Sequence, residues 1–511
     1  MSPEGTHQAR PPSTATAAFD KALALVASHR PKGADAARGP ALRYQPPGVE
    51  TWDSDGVASV AADRSGPWVG GAIASAHRRM KTGDLSATEL VEQALLAAET
   101  QGTALGAVVE LLAAQALEDA GRLDRLAESD GLGSLGPLHG IPITVKDIIH
   151  VAGVPTRAGS AAYCVVPDRD AVAVARARAA GAIVVAKVST HEFALGVTTP
   201  QSANPFDHRR IPGGSSGGSA IAVACGIGLA SIGTDTRASI RVPAALCGVV
   251  GLKGTYGLVP TDGIVPLSWT MDHVAPMATT VADAAVLLEV MAARPIGGAT
   301  GGRIGVARAG FDGCEPSIAA VAMNAIAALV NSPGGSDGSG GRRRLVELDR
   351  PNGPDLDLAN AAGLIVSRCE AAAFHRSLDA DRGAYWDEVR DQLDAADNVG
   401  AADYLDAQRL RAVLVADLRA VFDRCDVLCL PTVGIAPPRR DDYTRFLTVL
   451  SRSCVPWSLA GFPAVSVPCG IDASGFPVGL QIVGPAGADA TVIAAAAEVE
   501  RATRGARLPS P

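Results

Sequence analysis

Aromatic residues make up only 4% of this chain, and lysine is scarcer still, with six lysines against 39 arginines. A lysine inside a motif therefore carries more weight than usual. The nine cysteines are odd in number and contain no Cys-x-x-Cys pair, a pattern that suits a reducing compartment rather than a disulfide framework. Most have apolar neighbours, as small buried hydrophobes do. Cys425 and Cys429 fall in an expected strand, which argues against a metal there, and no metal site is expected elsewhere. No apolar run reaches the length of a membrane span, since Ala220–Gly233 is short and built from small residues. No basic run exceeds Arg342–Arg344 and the net charge is −8, so neither a membrane nor a nucleic acid is an expected partner. The first residues carry no hydrophobic signal core, and a cytoplasmic location is expected. The glycine-rich stretch 213–218 lacks the Gly-Lys-Ser/Thr ending of a phosphate loop and the G-x-G-x-x-G spacing of a nucleotide turn.

What is present is a globular composition, 47% hydrophobic and 19% charged. A chain of 511 residues is long for one core but within reach of a single large α/β domain. Residues 1–65, with several Pro-rich stretches and one amphipathic run from Ala17 to His29, read as an extension or surface arm. Residues 66–511 read as the main domain. Within it, Ser86-Ala-Thr-Glu89 has the form of a capping box opening a helix. A second helix is expected from Leu111 to Ala127. Helix Asp170–Ala180 followed by strand Ala182–Ala186 points to a mixed or parallel sheet. Val281–Ala292 is an apolar helix, residues 332–344 form a Gly/Ser/Arg surface loop, 351–424 are mostly helical, and Cys425–Pro431 is a strand.

The densest signal lies in residues 213–257. Gly213-Gly-Ser215-Ser216-Gly-Gly218 precedes a small-residue apolar helix expected from Ala220 to Ala230. A short buried strand, Ser231–Gly233, then leads to Thr234-Asp235-Thr236-Arg237-Ala238-Ser239. Two serine-bearing turns thus flank one packed helix, and their serines are placed to face each other. Upstream, Gly136-Pro-Leu-His-Gly-Ile-Pro-Ile-Thr-Val-Lys146-Asp147 reads as a short buried strand closing on a lysine. Burial disfavours a lysine's charge and suits it to accept a proton. The competing reading has its head reaching solvent or paired with Asp147.

These stretches together resemble the amidase signature family of Ser–Ser–Lys serine amidohydrolases. That family shows GGSSGGS, then about two dozen residues on GTD-x-GGS-[IV]-R-x-P; here Ser215 and Ser239 are 24 residues apart. Thr190-His-Glu-Phe193, the Asn204-Pro-Phe-Asp207 loop, Met271-Asp-His-Val-Ala-Pro-Met277 and Val455–Pro468 resemble further family segments in the same order, across roughly residues 70–505. The departures are Arg237 and Ala238, which replace the usual glycine pair, and Ala275, which replaces another glycine.

The resemblance implies an α/β fold: a single large domain with a mixed central sheet covered by helices on both faces. It implies hydrolysis of a small carboxamide to the acid and ammonia, with no cofactor. Ser239 would attack, Ser215 would relay the proton, and Lys146 would receive it. Ser216 would support that network. Lys187 and Lys253 would be structural, and Asp235 would pair with Arg241. Backbone N–H groups of Thr236, Arg237, Ala238 and Ser239 would form the oxyanion hole. Arg237 and Ala238 would bring strain wherever φ must be positive, or a β-carbon crowding the acyl group. Arg237 is expected to meet solvent or a structural partner, with recognition of an anionic substrate group second. Trp269, Trp457 and Phe462 are candidates either for an apolar substrate pocket or for the core. Two alternatives stand beside the simple amidase: a catalytically impaired or scaffold relative, and the glutaminase subunit of a tRNA-dependent amidotransferase. A homodimer is the expectation from symmetry.

Overall fold

Strand Val274–Ala278 shows how this chain covers a sheet on both sides. Val274 and Ala278 pack into one apolar cluster with Val281, Ala284 and Leu288. Ala275 and Met277 point the other way, into a cluster with Ala220, Val223 and Ala244. The alternation is the period of two that a strand imposes on its side chains.

The computed structural model describes residues 14–30, 70–131, 136–299, 301–332, 343–348, 353–378 and 380–503. Among them are fifteen α-helices and eleven strands. The strands are β1 (Val108–Leu111), β2 (Ile141–Lys146), β3 (Ala182–Val188), β4 (Ala230–Thr234), β5 (Val250–Lys253), β6 (Val274–Ala278), β7 (Arg303–Ala307), β8 (Arg344–Leu348), β9 (Val427–Pro431), β10 (Ala464–Ile471) and β11 (Pro477–Val483). All belong to one sheet in the order β1-β3-β2-β4-β6-β5-β10-β11-β9-β7-β8. Strand β2 runs parallel to β3 and β4, while β4, β6, β5, β10, β11 and β9 pair antiparallel in succession. The fold is thus one large α/β domain with a mixed central sheet, as the sequence implied.

The capping box forms with both of its bonds. Glu89 N donates to Ser86 Oγ at 3.0 Å, and Ser86 N donates to Glu89 Oε2 at 2.7 Å. The expected helix after it begins two residues late, as Ala113–Asp130, because Val108–Leu111 joins the sheet edge beside β3. The glycine-block helix spans Gly217–Ala224 rather than Ala220–Ala230. It stops where Gly226 turns at φ 73°, a left-handed conformation that only glycine adopts without cost. The region 351–424 holds the helices Leu356–His375, Asp387–Asp397 and Ala401–Val421.

Most of the 1–65 extension and of the 332–344 loop lies outside the described residues. The amphipathic run is described, as the helix Thr14–Ser28. Phe19, Ala22 and Val26 are buried, and Ala22 and Val26 join a cluster with Ala362, Ile365 and Leu410. Six cysteines are buried, Cys314 and Cys369 are half-buried, and Cys164 is exposed. Among the described residues no helix is long and apolar enough to cross a membrane.

Candidate active site

The site is built where β2 and β4 end side by side. Lys146 closes β2 and Thr234 closes β4, and the two strands pair in parallel. Lys146 is fully buried. Its Nζ donates to Thr234 Oγ1 at 2.8 Å and to Ser215 Oγ at 2.7 Å. Burial pulls the amine down to about 7, against the opposing pull of Asp272 and Asp235. An amine in that range is neutral in a large fraction of molecules near physiological pH. The competing reading, a pair with Asp147, is filled by another residue: Lys187 Nζ lies 2.8 Å from Asp147 Oδ1.

Ser215 is delivered by a tightly packed turn. The Gly214–Ser215 peptide is cis. A β-carbon on Gly214 would lie 1.9 Å from the Thr198 carbonyl oxygen, so no larger residue fits there. Thr199 Oγ1 donates to the Ser215 carbonyl and accepts from Gly217 N, fastening the turn to the preceding loop. Ser216 Oγ donates to the Thr234 carbonyl at 3.1 Å, joining the turn to the end of β4. Ser216 N donates to the Ser239 carbonyl at 3.2 Å, which joins the two serine turns. The Ser239 hydroxyl itself makes no hydrogen bond among the described residues, and Ser239 is 4% exposed.

The second turn is held from behind. Arg241 Nε and Nη2 grip the Asp235 carboxylate at 2.9 and 3.0 Å, with both side chains fully buried. Burial works to raise the Asp235 carboxyl, but Arg241, with Lys253 and His273, outweighs it and holds the group below the usual carboxylate range. Arg241 also donates to Gln481 Oε1, Ser458 Oγ and the Cys454 and Arg237 carbonyls. Thr236 Oγ1 donates to Asp272 Oδ1 at 2.6 Å. Burial raises the Asp272 carboxyl to about 6, partly offset by Thr236 and the Leu267 and Ser268 amides. Among the described residues, the backbone N–H groups of Thr236, Arg237, Ala238 and Ser239 meet no protein acceptor. These four consecutive donors lie on the turn that carries the Ser239 hydroxyl.

The two glycine replacements sit more easily than their sequence suggests. Neither Arg237 nor Ala238 has a positive φ, so the expected backbone strain is absent. The Ala238 methyl packs into an apolar cluster with Val197, Val242, Leu450 and Cys454. Arg237 Nη2 donates to Asn360 Oδ1 at 3.0 Å, a structural partner of the kind expected, while its Nε is buried and unpartnered.

Two of the aromatic pocket candidates require correction. Trp457 and Phe462 are fully buried in one apolar cluster, with Phe462 edge-on to Phe422 and Trp457 Nε1 bonded to the Ser453 carbonyl. They back the site as core and line no open pocket. Trp269 is 50% exposed, and its carbonyl accepts the Tyr256 hydroxyl. Lys253 donates to the Phe462 and Gly254 carbonyls and contacts His273, a structural role as expected. Among the described residues no group of three or more His, Cys, Asp or Glu side chains could hold a metal.

Sequence reasoning missed the polar groups that complete the surroundings: Thr234, Asn360, Arg368, Glu388, His191 and Tyr443. Thr234 carried a signal, as the polar end of a buried strand inside the glycine block. His191 lies in the Thr190–Phe193 segment already noted, and the others come from distant helices and loops, where no local motif marks them.

A family model described as Amidase matches residues 89–297 and 367–493. The A-subunit of a glutamyl-tRNA(Gln) amidotransferase from Chloroflexus aurantiacus is 36% identical over 480 residues, covering 84% of this chain and 96% of the relative. A crystal structure of an amidase superposes with a TM-score of 0.74 at 34% identity, covering 84% of this chain and 99% of that one. The peptide amidase of Stenotrophomonas maltophilia does so with a TM-score of 0.71 at 30% identity, covering 87% and 99%. With the family matched across both halves of the sheet, the chain belongs to the amidase family.

Proposed function

We propose that this protein hydrolyses a carboxamide to the acid and ammonia through Lys146, Ser215 and Ser239. The observation that carries the reading is the 2.7 Å contact between the buried Lys146 amine and the Ser215 hydroxyl. A serine hydroxyl is a weak nucleophile and needs a base. In the neutral amine, Thr234 takes one N–H and the lone pair is free for the Ser215 proton. Ser239 Oγ attacks the amide carbon and passes its proton to Ser215 Oγ, whose own proton goes to Lys146. The carbonyl oxygen becomes an oxyanion against the free N–H groups of residues 236–239, each worth about 3 kcal/mol in such sites. The C–N bond then breaks and the proton returns through Ser215 to the leaving nitrogen. Water, activated by the same relay, attacks the Ser239 ester and releases the acid.

The impaired-relative alternative drew its support from the altered loop. The absence of a positive φ at Arg237 and Ala238 and the buried Ala238 methyl weaken that support. The reading as a glutaminase component of an amidotransferase gains from the comparisons, because relatives at 34–36% identity carry that name. The same three residues would release ammonia from glutamine in either case. On this reading the partner is a small amide, and in the second also further subunits.

The test is ammonia release from aliphatic, aryl and amino-acid amides and from glutamine. Wild type would be compared with Ser239→Ala and Lys146→Ala. Release lost in both variants is expected. Release retained by Ser239→Ala would overturn the proposal. Glutamine turnover that rises only with added amidotransferase subunits would select the second reading.

A further inference from the structure

The region 351–424 supplies none of the three reacting residues, yet one of its side chains is joined to them by an unbroken chain of hydrogen bonds. Glu370, on the helix Leu356–His375, is a buried carboxylate. Five donors converge on it, all neutral. Ser268 Oγ at 2.6 Å, Thr270 N at 3.2 Å and Thr270 Oγ1 at 2.7 Å come from one loop. Tyr404 Oη at 3.0 Å and Gln408 Nε2 at 3.5 Å come from the helix Ala401–Val421. Gln408 turns its amide nitrogen to this cluster and leaves its own Oε1 buried without a hydrogen bond. Arg411, one turn further along the same helix, donates to Thr270 Oγ1 and to the Thr270 carbonyl. Apolar side chains would pack helices against a loop at less cost, since a buried carboxylate needs its hydrogen bonds merely to offset desolvation. What the hydrogen bonds add is direction, because a buried network specifies one arrangement.

The loop fixed in this way is the one that ends on Asp272. Ser268 is its junction. The Ser268 hydroxyl goes to Glu370, its N–H goes to Asp272 Oδ2 at 3.0 Å, and its carbonyl accepts from Met271 N and Asp272 N. Leu267 N adds a second donor to Asp272 Oδ2 at 2.9 Å. The other oxygen of Asp272 receives the Thr236 hydroxyl at 2.6 Å. Three hydrogen bonds, Ser268 to Glu370, Ser268 to Asp272 and Thr236 to Asp272, therefore run from the helix to Thr236 on the turn that carries Ser239. His273 and Asp235 exchange two backbone bonds, at 3.1 and 2.8 Å, so the same loop also holds that turn by its main chain.

We propose that Glu370 is a positioning residue for the reaction: through Ser268 and Asp272 it sets the place of Thr236, and with it the backbone N–H groups of residues 236–239. This rests on the amide-hydrolase reading above and adds a residue to it. Those N–H groups meet the substrate oxygen most strongly once it carries charge, so a displaced turn is felt in kcat and hardly in KM.

Steady-state amide hydrolysis and a reaction that needs no turnover test this together. In the second, Ser239 Oγ attacks the phosphorus of a fluorophosphonate, fluoride leaves, and the hydroxyl proton passes to Ser215. Glu370→Gln keeps the shape but sets an amide donor among donors. It should lower kcat and the labelling rate about 10- to 100-fold, the scale of a small displacement of aligned groups, with KM within about threefold. Thr236→Val, which removes the hydroxyl and keeps the N–H, should do the same. In the double variant the two losses should not multiply, because both open one chain. Tyr404→Phe takes a donor from Glu370 without touching Ser268; it should lower stability yet leave kcat per folded molecule within about twofold. Losses that multiply, an unmoved kcat in folded Glu370→Gln, or an equal loss of kcat in Tyr404→Phe would each overturn the assignment. Where Glu370→Gln does not fold, Ser268→Ala opens the same chain at its junction, and its cycle with Thr236→Val decides on the same terms. A wild type labelled at Ser239 that releases ammonia from no amide would remove the hydrolase reading and leave the labelling rates to judge Glu370. One that is neither labelled nor active removes both.

Discussion

Two lysines on neighbouring parallel strands meet opposite fates. Lys146 ends β2, and Lys187 lies one residue before the end of β3, paired in register with Val145. Both are fully buried, and burial lowers both amines. Lys187 Nζ touches the Asp147 carboxylate at 2.8 Å and Thr156 Oγ1 at 3.1 Å. Lys146 touches two hydroxyls and no carboxylate. Burial alone therefore does not make a base. A carboxylate in contact favours the charged amine, whereas hydroxyls tolerate the neutral one. Lys253 is a third case, held by two carbonyl oxygens that can only accept and by His273 Nε2 at 3.3 Å, with no hydroxyl in contact whose proton it could take.

The comparison breaks most sharply at Lys146. Lys146→Met should lower kcat by about 10²–10⁴-fold, the range of a lost general base, with the fold retained because no buried charge is orphaned. Ammonia release and a urea melt of the same sample check both halves. Lys187→Ala should do the reverse. It strands Asp147 without its cation and should cost about 3–5 kcal/mol of stability, while kcat per folded molecule stays within a few-fold. Equal losses of activity in the two variants would erase the distinction between base and strut.

The pH profile sharpens the same point. In the proposed relay Lys146 must be neutral to accept a proton, and burial pulls its amine down to about 7. It follows that kcat/KM should rise as pH climbs through about 7 and level off above it. A flat profile from about pH 6 to 9 would mean that another group limits the reaction. A weaker effect is expected when the glycine pair is restored. Arg237→Gly with Ala238→Gly should change kcat on a neutral amide by no more than about threefold, since neither residue holds a positive φ whose strain could be relieved. A tenfold rise would show that these side chains do crowd the acyl group.

How far the sequence spoke depended on whether the physics was local. Lys146, Ser215 and Ser239 could be named through the family resemblance, because the motifs that carry it are short-range: a buried strand closing on a lysine and two serine-bearing turns 24 residues apart. The Asp235–Arg241 pair was legible for the same reason, six residues apart on one turn. The surroundings were not. Arg237 meets Asn360 and Arg368 meets Gln392 and Leu195, contacts 123, 24 and 173 residues apart that no periodicity announces. Trp457 and Phe462 were open between pocket and core because an aromatic beside a proline-flanked turn looks the same in either place. Only their full burial in one apolar cluster decides it.

The smallest effect supplies the baseline for the others. Ser86 and Glu89 exchange two hydrogen bonds at an exposed helix start, and neither touches the site. Ser86→Ala removes one acceptor and should cost about 1 kcal/mol of stability. Ser86→Thr, which keeps the oxygen, should recover most of it. Ammonia release per folded molecule should not change in either variant. That unchanged rate gives the losses at Lys146 and Lys187 their meaning, because it shows what a purely structural hydrogen bond does to turnover. If Ser86→Ala lowered kcat as far as Lys187→Ala did, the rate would be reporting global stability, and no strand-end lysine could be assigned to chemistry from kcat alone.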